Sequence, residues 1–352
     1  MKKYNIIGLM SGTSLDGVDI VHVSFNKDAN WKYKIHNYSC VKYSKKWLNI
    51  LNKSQELSAN EILIKHKEYG DYLGILITKF IEHKKIDLLK IDAIASHGHT
   101  IFHQPDKKLT FQLGCGASIA SKTNIKVVND FRTLDIAFGG QGAPLVPVGD
   151  ELLFKEYDYC LNLGGIANIS FNNQSERIAG DIGFANMISN YLMQKKGANY
   201  DENGKLAQSG KLNMKLFNEI ESLPFFSKKF PKSIAKEDFN NWYYPIIDQF
   251  KIKTEDKLHT AGYHLCYSIN KIVKNNKKTL ITGGGAYNSF WINTLKNTFN
   301  IDVKLPNDVL IDYKEALIFA FLGLLRILEI ENTYSSVTGA SKNLKSGIIH
   351  YP

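Results

Sequence analysis

Residues 4–25 read YNIIGLMSGTSLDGVDIVHVSF, and their pattern decides the fold class. Tyr4–Met10 and Val18–Phe25 are apolar and rich in β-branched residues, so they read as two strands. Between them, Ser11–Gly17 is polar and carries glycine, serine, threonine and an Asp–Gly pair. Such a turn can aim backbone N–H groups and hydroxyls at a phosphate. An ordinary hairpin turn has the same composition.

The pattern returns about 150 residues later, which suggests two similar half-domains. Tyr159–Leu163 is apolar, Gly164–Gly165 is a tight turn, and Ile166–Phe171 is again strand-like. The double glycine lets a ligand approach the backbone closely, although a plain turn needs it too. A third glycine site, TGGGAYN at Thr282–Asn288, follows a short strand, Thr279–Thr282, and precedes a helix. Missing Cβ atoms there leave room for a flat ring or a phosphate. Ile91–Ser96 and Lys126–Val128 read as further strands. Helical stretches are expected at 44–85, Asn186–Lys253, Asp256–Asn275, Ala286–Phe299 and Tyr313–Leu328. The last is apolar all round and reads as core or as the face of a homodimer. These features predict an α/β fold of two lobes with a cleft. Residues 1–130, joined by 331–352, form domain I; 131–330 form domain II. There is no GxxxxGK[ST] and no GxGxxG, so any phosphate site is of the hairpin type. Two phosphate hairpins followed by a glycine-rich strand–helix junction is the layout of the actin–hexokinase–acetate-kinase superfold.

Composition excludes other classes. The chain has 352 residues, 44% hydrophobic and 22% charged, so it is globular rather than disordered. The net charge is +10, but only Arg132, Arg177 and Arg326 are arginines; the excess is scattered lysine. That fits a soluble basic surface, not a nucleic-acid partner. No apolar run is long enough to span a membrane. Cys40, Cys115, Cys160 and Cys266 lie far apart, as reduced thiols of a cytoplasmic protein do.

Three segments carry further polar chemistry. SHGHTIFHQP at Ser96–Pro105 holds His97, His99 and His103, a weak metal pattern and a better hydrogen-bonding turn for a substrate. NDFRTLDIAFGGQGAPLVP at Asn129–Pro147 mixes Asp130, Arg132 and Asp135 with Gly139, Gly140 and Gly142, and reads as a binding loop. In GDIGFAN at Gly180–Asn186, Asp181 is either a base able to accept a proton or the cap of a following helix.

Taken together, GLMSGTSLDGVD, SHGHT, GGQGAPLVP, LNLGGIANIS, the Asp181 segment, YDENGKLAQSGKLN, FPKS, GGGAYN and KEALIFAFLG resemble the anhydro-N-acetylmuramic acid kinase family. The resemblance runs from Ile6 to Gly347. It implies a two-lobed actin-like ATPase/sugar-kinase (ribonuclease H-like) fold with ATP in the interlobe cleft. It also implies an ATP- and Mg²⁺-dependent kinase that opens 1,6-anhydro-N-acetylmuramic acid with water and phosphorylates oxygen 6, in peptidoglycan recycling. By that resemblance Asp181 is the general base. Gly12, Thr13, Ser14, Leu15, Asp16, Gly17, Val18 and Asp19 hold the phosphates, and Asn162, Gly164, Gly165, Gly283, Gly284 and Gly285 complete the nucleotide site. His97, Arg132, Asn186 and Glu315 face the amino sugar, with Arg132 paired to its lactyl carboxylate. Asp16 stands nearest the metal, through water.

The chain departs from the family pattern at three places. FDTGPGN becomes GDIGFAN at Phe184 and Ala185, PPKSTGRE becomes FPKSIAKE at Ala235 and Lys236, and SHGQT becomes SHGHT at His99. These departures keep open a kinase of the same fold for another amino or anhydro sugar; a non-sugar ATPase switch is the other alternative.

Overall fold

The structure, a computed structural model, describes residues 2–12, 14–174 and 176–352. Its strands are β1 (Lys3–Ser11), β2 (Val18–Lys27), β3 (Trp31–Val41), β4 (Ala93–Gln104), β5 (Leu109–Leu113), β6 (Val127–Asn129), β7 (Tyr159–Leu163), β8 (Ile166–Asn173), β9 (Glu176–Phe184), β10 (Lys278–Thr282), β11 (Asp302–Lys304) and β12 (Ile348–His350). They form two sheets in two compact units. Unit 1 runs to Leu153 and resumes at Tyr313–Pro352; unit 2 is Phe154–Asp312.

The two sheets repeat one topology. In unit 1 the order is β3-β2-β1-β4-β6-β12, with β5 added beside β4. In unit 2 it is β9-β8-β7-β10-β11. The first three strands of each are antiparallel neighbours. The next two lie parallel to the first. The repeat seen in the sequence is thus a repeat of folding units, of the actin-like, ribonuclease H-like kind.

Both faces of the unit 1 sheet are covered, so β1 is apolar on consecutive residues, Ile6, Ile7 and Leu9 each being no more than 1% exposed. One face meets the helix Ala59–His83 through Tyr69, Leu73 and Ile77. That helix starts with a capping box between Ser58 and Glu61. The helix Asp308–Ile327 packs from Tyr313 onward on unit 1. Gly8 has no room for a Cβ, which would strike the Ala316 carbonyl, and a Cβ on Gly149 would lie 2.6 Å from Ile318. Leu317, Phe319, Phe321, Leu322 and Leu325 are at most 2% exposed, so this helix is core and offers no dimer face.

These contacts set the borders. Residues 131–153 and 313–330, expected in domain II, lie in unit 1 because Asp135 bonds the Thr338 hydroxyl and because helix 308–327 packs on Gly149 and on Gly8 of β1. Unit 2 has its own core, built on Leu161, Ile169, Ile182 and Phe184 and closed by the helix Thr254–Asn270 through Leu265 and Ile269.

Candidate active site

In unit 1 the β1–β2 turn is pinned at both ends. Ser11 is 3% exposed, and its hydroxyl is bound on three sides by Tyr43, Tyr69 and His99. At the other end, a Cβ on Gly17 would lie 2.6 Å from the Val41 carbonyl, so only glycine lets the chain pass β3 there. Between these pins, Leu15 has φ +62° and donates its N–H to the Gly12 carbonyl at 3.3 Å. Ser14 and Asp16 are exposed, while Val18 is buried and Asp19 half-buried. Thr13 lies outside the described residues. Burial, together with a hydrogen bond to Asp19, pushes the Cys40 thiol up to about 12, so it stays protonated.

A second polar group gathers around Arg132. His97 Nδ1 lies 2.8 Å from the Gly98 carbonyl, an acceptor only, so Nδ1 carries the proton. His97 Nε2 is then free to accept Arg132 Nε–H at 3.0 Å and Nη2–H at 2.9 Å. Burial and the adjacent guanidinium hold His97 neutral. Arg132 Nη1 donates to the Gly142 carbonyl at 2.7 Å. Three of its five N–H groups are therefore used for positioning and two remain. Burial lowers the Arg132 pKa to about 10, with Glu315 and Asp135 opposing, and it stays charged at neutral pH.

Asp135 holds the loop that Arg132 rests on. Its Oδ2 accepts Gly142 N–H at 2.7 Å and its Oδ1 accepts the Thr338 hydroxyl at 2.6 Å. Gly140 packs so closely on this carboxylate that a Cβ would overlap it. Glu315 is half-buried. Burial raises its pKa, while Lys314 and Arg132 pull it down. Beside it, Lys314 and Asp150 form a buried ion pair at 2.6 Å.

Sequence reasoning expected a turn at Ser96–Pro105. The structure places His97, His99 and His103 in β4, which continues to Gln104 and pairs with β5. His97 spends Nε2 on Arg132, and His99 spends Nδ1 on Ser11. Among the described residues, no group of His, Cys, Asp or Glu could hold a metal ion.

In unit 2 the glycine sites converge. Thr282 pairs with Asn162, so the carboxyl ends of the parallel strands β7 and β10 lie side by side. That end of a parallel sheet is where open α/β folds bind ligands. Gly283 has φ +80°, and a Cβ there would overlap Asn162 Oδ1. Gly284 is exposed, with only Asn186 Nδ2 near it, at 3.6 Å from where a Cβ would stand. Asn186 Nδ2 donates to the Leu163 carbonyl at 3.1 Å. The N–H groups of Ala185 and Asn186 bond the carbonyls of Gly165 and Gly164. Asn186 thus ties the Gly164–Gly165 turn to the start of its helix rather than standing free. Thr282 Oγ1, just before the glycines, is buried and has no hydrogen-bond partner among the described residues.

Asp181 lies inside β9 beside Asn168, next to a register shift in the β8–β9 ladder. It caps no helix: the cap position of helix 186–194 is Ala185. Oδ2 accepts Ile234 N–H at 3.0 Å and the Ser233 hydroxyl at 3.2 Å. Its own N–H bonds the Lys232 carbonyl at 2.8 Å. Among the described residues nothing donates to Oδ1. Burial raises the carboxyl pKa, and the two bonds to Oδ2 moderate the rise. The result is a fixed carboxylate with one open oxygen. Its anchors, Ser233 and Ile234, belong to FPKSIAKE, whose role no local pattern revealed.

Two of the departures from the family pattern find a physical place. Phe184 is 1% exposed and packs against Phe239, Trp242 and Tyr243, and Ala185 is fully buried. Both are core residues of unit 2. Ala235 and Lys236 are exposed.

The sequence profile described as anhydro-N-acetylmuramic acid kinase matches residues 4–352. The anhydro-N-acetylmuramic acid kinase of Aliivibrio fischeri is 34% identical over 366 residues, covering 99% of this chain and 99% of that protein. The one from Hydrogenovibrio crunogenus is 32% identical, covering 98% of each. Among solved structures, component A of the Acidaminococcus fermentans (R)-2-hydroxyglutaryl-CoA dehydratase aligns with a TM-score of 0.48 at 11% identity, over 91% of this chain and 97% of that one. At one-third identity along nearly its whole length, the chain belongs to the anhydro-N-acetylmuramic acid kinase family.

Proposed function

We propose that Asp181 is the general base of a kinase that opens 1,6-anhydro-N-acetylmuramic acid with water while phosphorylating it. The observation that carries this reading is the Asp181 carboxylate, held through Oδ2 and open at Oδ1. The phosphotransferase activity and its place in cell-wall recycling follow from the family. In this substrate oxygen 6 is locked in an acetal to carbon 1, so no free 6-hydroxyl exists. Asp181 Oδ1 takes a proton from water as the water oxygen bonds carbon 1. The bond from carbon 1 to oxygen 6 breaks, and its electron pair leaves on oxygen 6. Oxygen 6 bonds the terminal phosphorus of ATP, and the bond from that phosphorus to ADP breaks. The products are N-acetylmuramic acid 6-phosphate, ADP and one proton.

The raised pKa of Asp181 suits this task, since a base is most effective with its pKa near the working pH. Arg132 keeps two N–H groups for a carboxylate, a match for the lactyl group of the sugar. We assign Glu315 and the His97-oriented Arg132 to the sugar. Asn186 acts by fixing the Gly164–Gly165 turn. Gly12–Asp19 in unit 1 and Asn162, Gly164, Gly165 and Gly283–Gly285 in unit 2 are assigned to ATP. The unpartnered Thr282 hydroxyl and the open backbone at Gly284 fit a nucleotide. Magnesium bound to the phosphates would offset their charge. Exposed Asp16 would hold it through bound water. Among the described residues no helix is long and apolar enough to cross a membrane, and all four cysteines are free; we place the protein in the cytoplasm.

The test is a mass-resolved assay with ATP, Mg²⁺ and 1,6-anhydro-N-acetylmuramic acid in oxygen-18 water. The expected product is heavier by one water and one phosphoryl group, labelled on carbon 1, and lost in Asp181→Asn. An unlabelled carbon 1, or full activity of the variant, refutes the role of Asp181.

A further inference from the structure

Behind the β1–β2 turn, four side chains from four parts of unit 1 meet at one point. Ser11 ends β1, His99 lies in β4, Tyr43 follows β3 by two residues, and Tyr69 is in helix 59–83. All are buried, at 3%, 4%, 7% and 0% exposure respectively. Ser11 Oγ lies 2.5 Å from Tyr43 Oη, 2.9 Å from Tyr69 Oη and 3.1 Å from His99 Nδ1. The two tyrosine hydroxyls are 2.7 Å apart.

Four contacts need four protons. The three hydroxyls own one each. Were His99 Nδ1 bare, it would accept the Ser11 proton, and two tyrosine protons would have to serve three oxygen pairs. One buried O···O contact would then have no proton, at the cost of an unsatisfied polar pair. If instead Nδ1 carries its proton, it donates to Ser11 Oγ, and the three hydroxyls close a ring in one direction. Ser11 then donates once and accepts twice, which is its full capacity.

We infer that His99 is held as its Nδ1–H tautomer and is the positioning residue that locks Ser11, and with it the start of the β1–β2 turn. A glutamine at this position would also present an N–H to Ser11 Oγ, through its amide. Burial keeps the ring neutral, its pKa lowered to about 4. The inference rests on the reading of Gly12–Asp19 as a phosphate loop, because only then does a fixed Ser11 matter to ATP.

Two measurements on the full chain test it. In the nitrogen-15 spectrum of histidine-labelled protein, His99 is expected to show a protonated Nδ1 and a bare Nε2; the opposite pattern overturns the inference. In kinetics, His99→Gln is expected to keep the KM for ATP within about twofold, and His99→Leu to raise it about tenfold, the worth of roughly one hydrogen bond to a neutral group, with a smaller change in kcat. Rescue by glutamine separates positioning from mere packing. A KM for ATP unchanged in His99→Leu overturns the positioning role. Gly12→Val tells the two failures apart: if it too leaves that KM untouched, the phosphate-loop reading has failed; if it raises it, only the role of His99 has.

Discussion

Replacing Asp135 by alanine should loosen the loop that carries Arg132. The carboxylate is fully buried and accepts two hydrogen bonds, from Gly142 N–H at 2.7 Å and from the Thr338 hydroxyl at 2.6 Å. Hydrogen bonds to a charged acceptor contribute about 1.5–3 kcal/mol each, so Asp135→Ala is expected to cost about 3–6 kcal/mol. That is a large share of a typical stability of about 5–15 kcal/mol. At about 2–4 °C per kcal/mol for a unit of this size, the first melting transition should fall by roughly 6–24 °C. Because Arg132 Nη1 rests on the Gly142 carbonyl, the KM for the sugar should rise as well. The assay is thermal unfolding followed by circular dichroism, with sugar kinetics on the same preparations. Thr338→Val alone should cost less, and should add less in the Asp135→Ala background than in the parent, since its closest partner is already gone and only the longer bonds to Tyr334 and Ala340 remain. A melting point within about 2 °C of the parent, or strict additivity of the two substitutions, would show that Asp135 does not hold this loop.

Asp181 should make activity fall on acidification at a pH above that of a free aspartate, about 3.9, since burial raises its pKa; a kcat/KM profile with its acid limb at or below that value contradicts this. A carboxyl with a raised folded pKa binds its proton more tightly when folded, so its contribution favours folding at low pH and is lost as pH rises through that pKa. Asp181→Asn should therefore melt higher than the parent at neutral pH, with the gain fading on acidification, as measured by melting curves from pH 4 to 8. Gly283→Ala combines φ +80° with an overlap on Asn162 Oδ1, and should cost about 1–3 kcal/mol and weaken ATP binding, while Gly284→Ala, with 3.6 Å to its nearest protein atom, should leave stability unchanged and weaken ATP binding alone. Melting points and the KM for ATP of the two variants decide it.

Much of the fold was legible because it is written in local chemistry. The strands at Tyr4–Met10 and Tyr159–Leu163 stand out by apolar runs broken at glycine turns, and both sheets start there. The partners of those strands were harder to see. Tyr313–Leu328 lies in unit 1 and not in domain II, since an apolar helix says that it is buried, not against what; its partners are Gly8 and Gly149, whose missing Cβ atoms admit it. β3 (Trp31–Val41) went unread; only Trp31 is buried, and the residues after it alternate between exposed and half-buried. In the site, Asp181 was visible through its glycine neighbours. Ser233 and Ile234 were not, since a backbone N–H and a serine some fifty residues away acquire meaning only when the chain returns to β9. Arg132 drew notice by rarity, whereas its support, Asp135, is recognisable only through the bonds it accepts.

The interrupted course of unit 1 bears on how the chain is made. Unit 2 is contiguous, and all of its residues have been synthesised once Asp312 is joined. Unit 1 at that moment has β1–β6 but lacks the helix segment that fits against Gly8 and the strand β12 that pairs with β6. At about 5–20 residues per second, the missing segment takes seconds to arrive. During that interval the apolar face of β1 and the edge of β6 stand uncovered on the nascent chain. The half synthesised first is thus the half completed last.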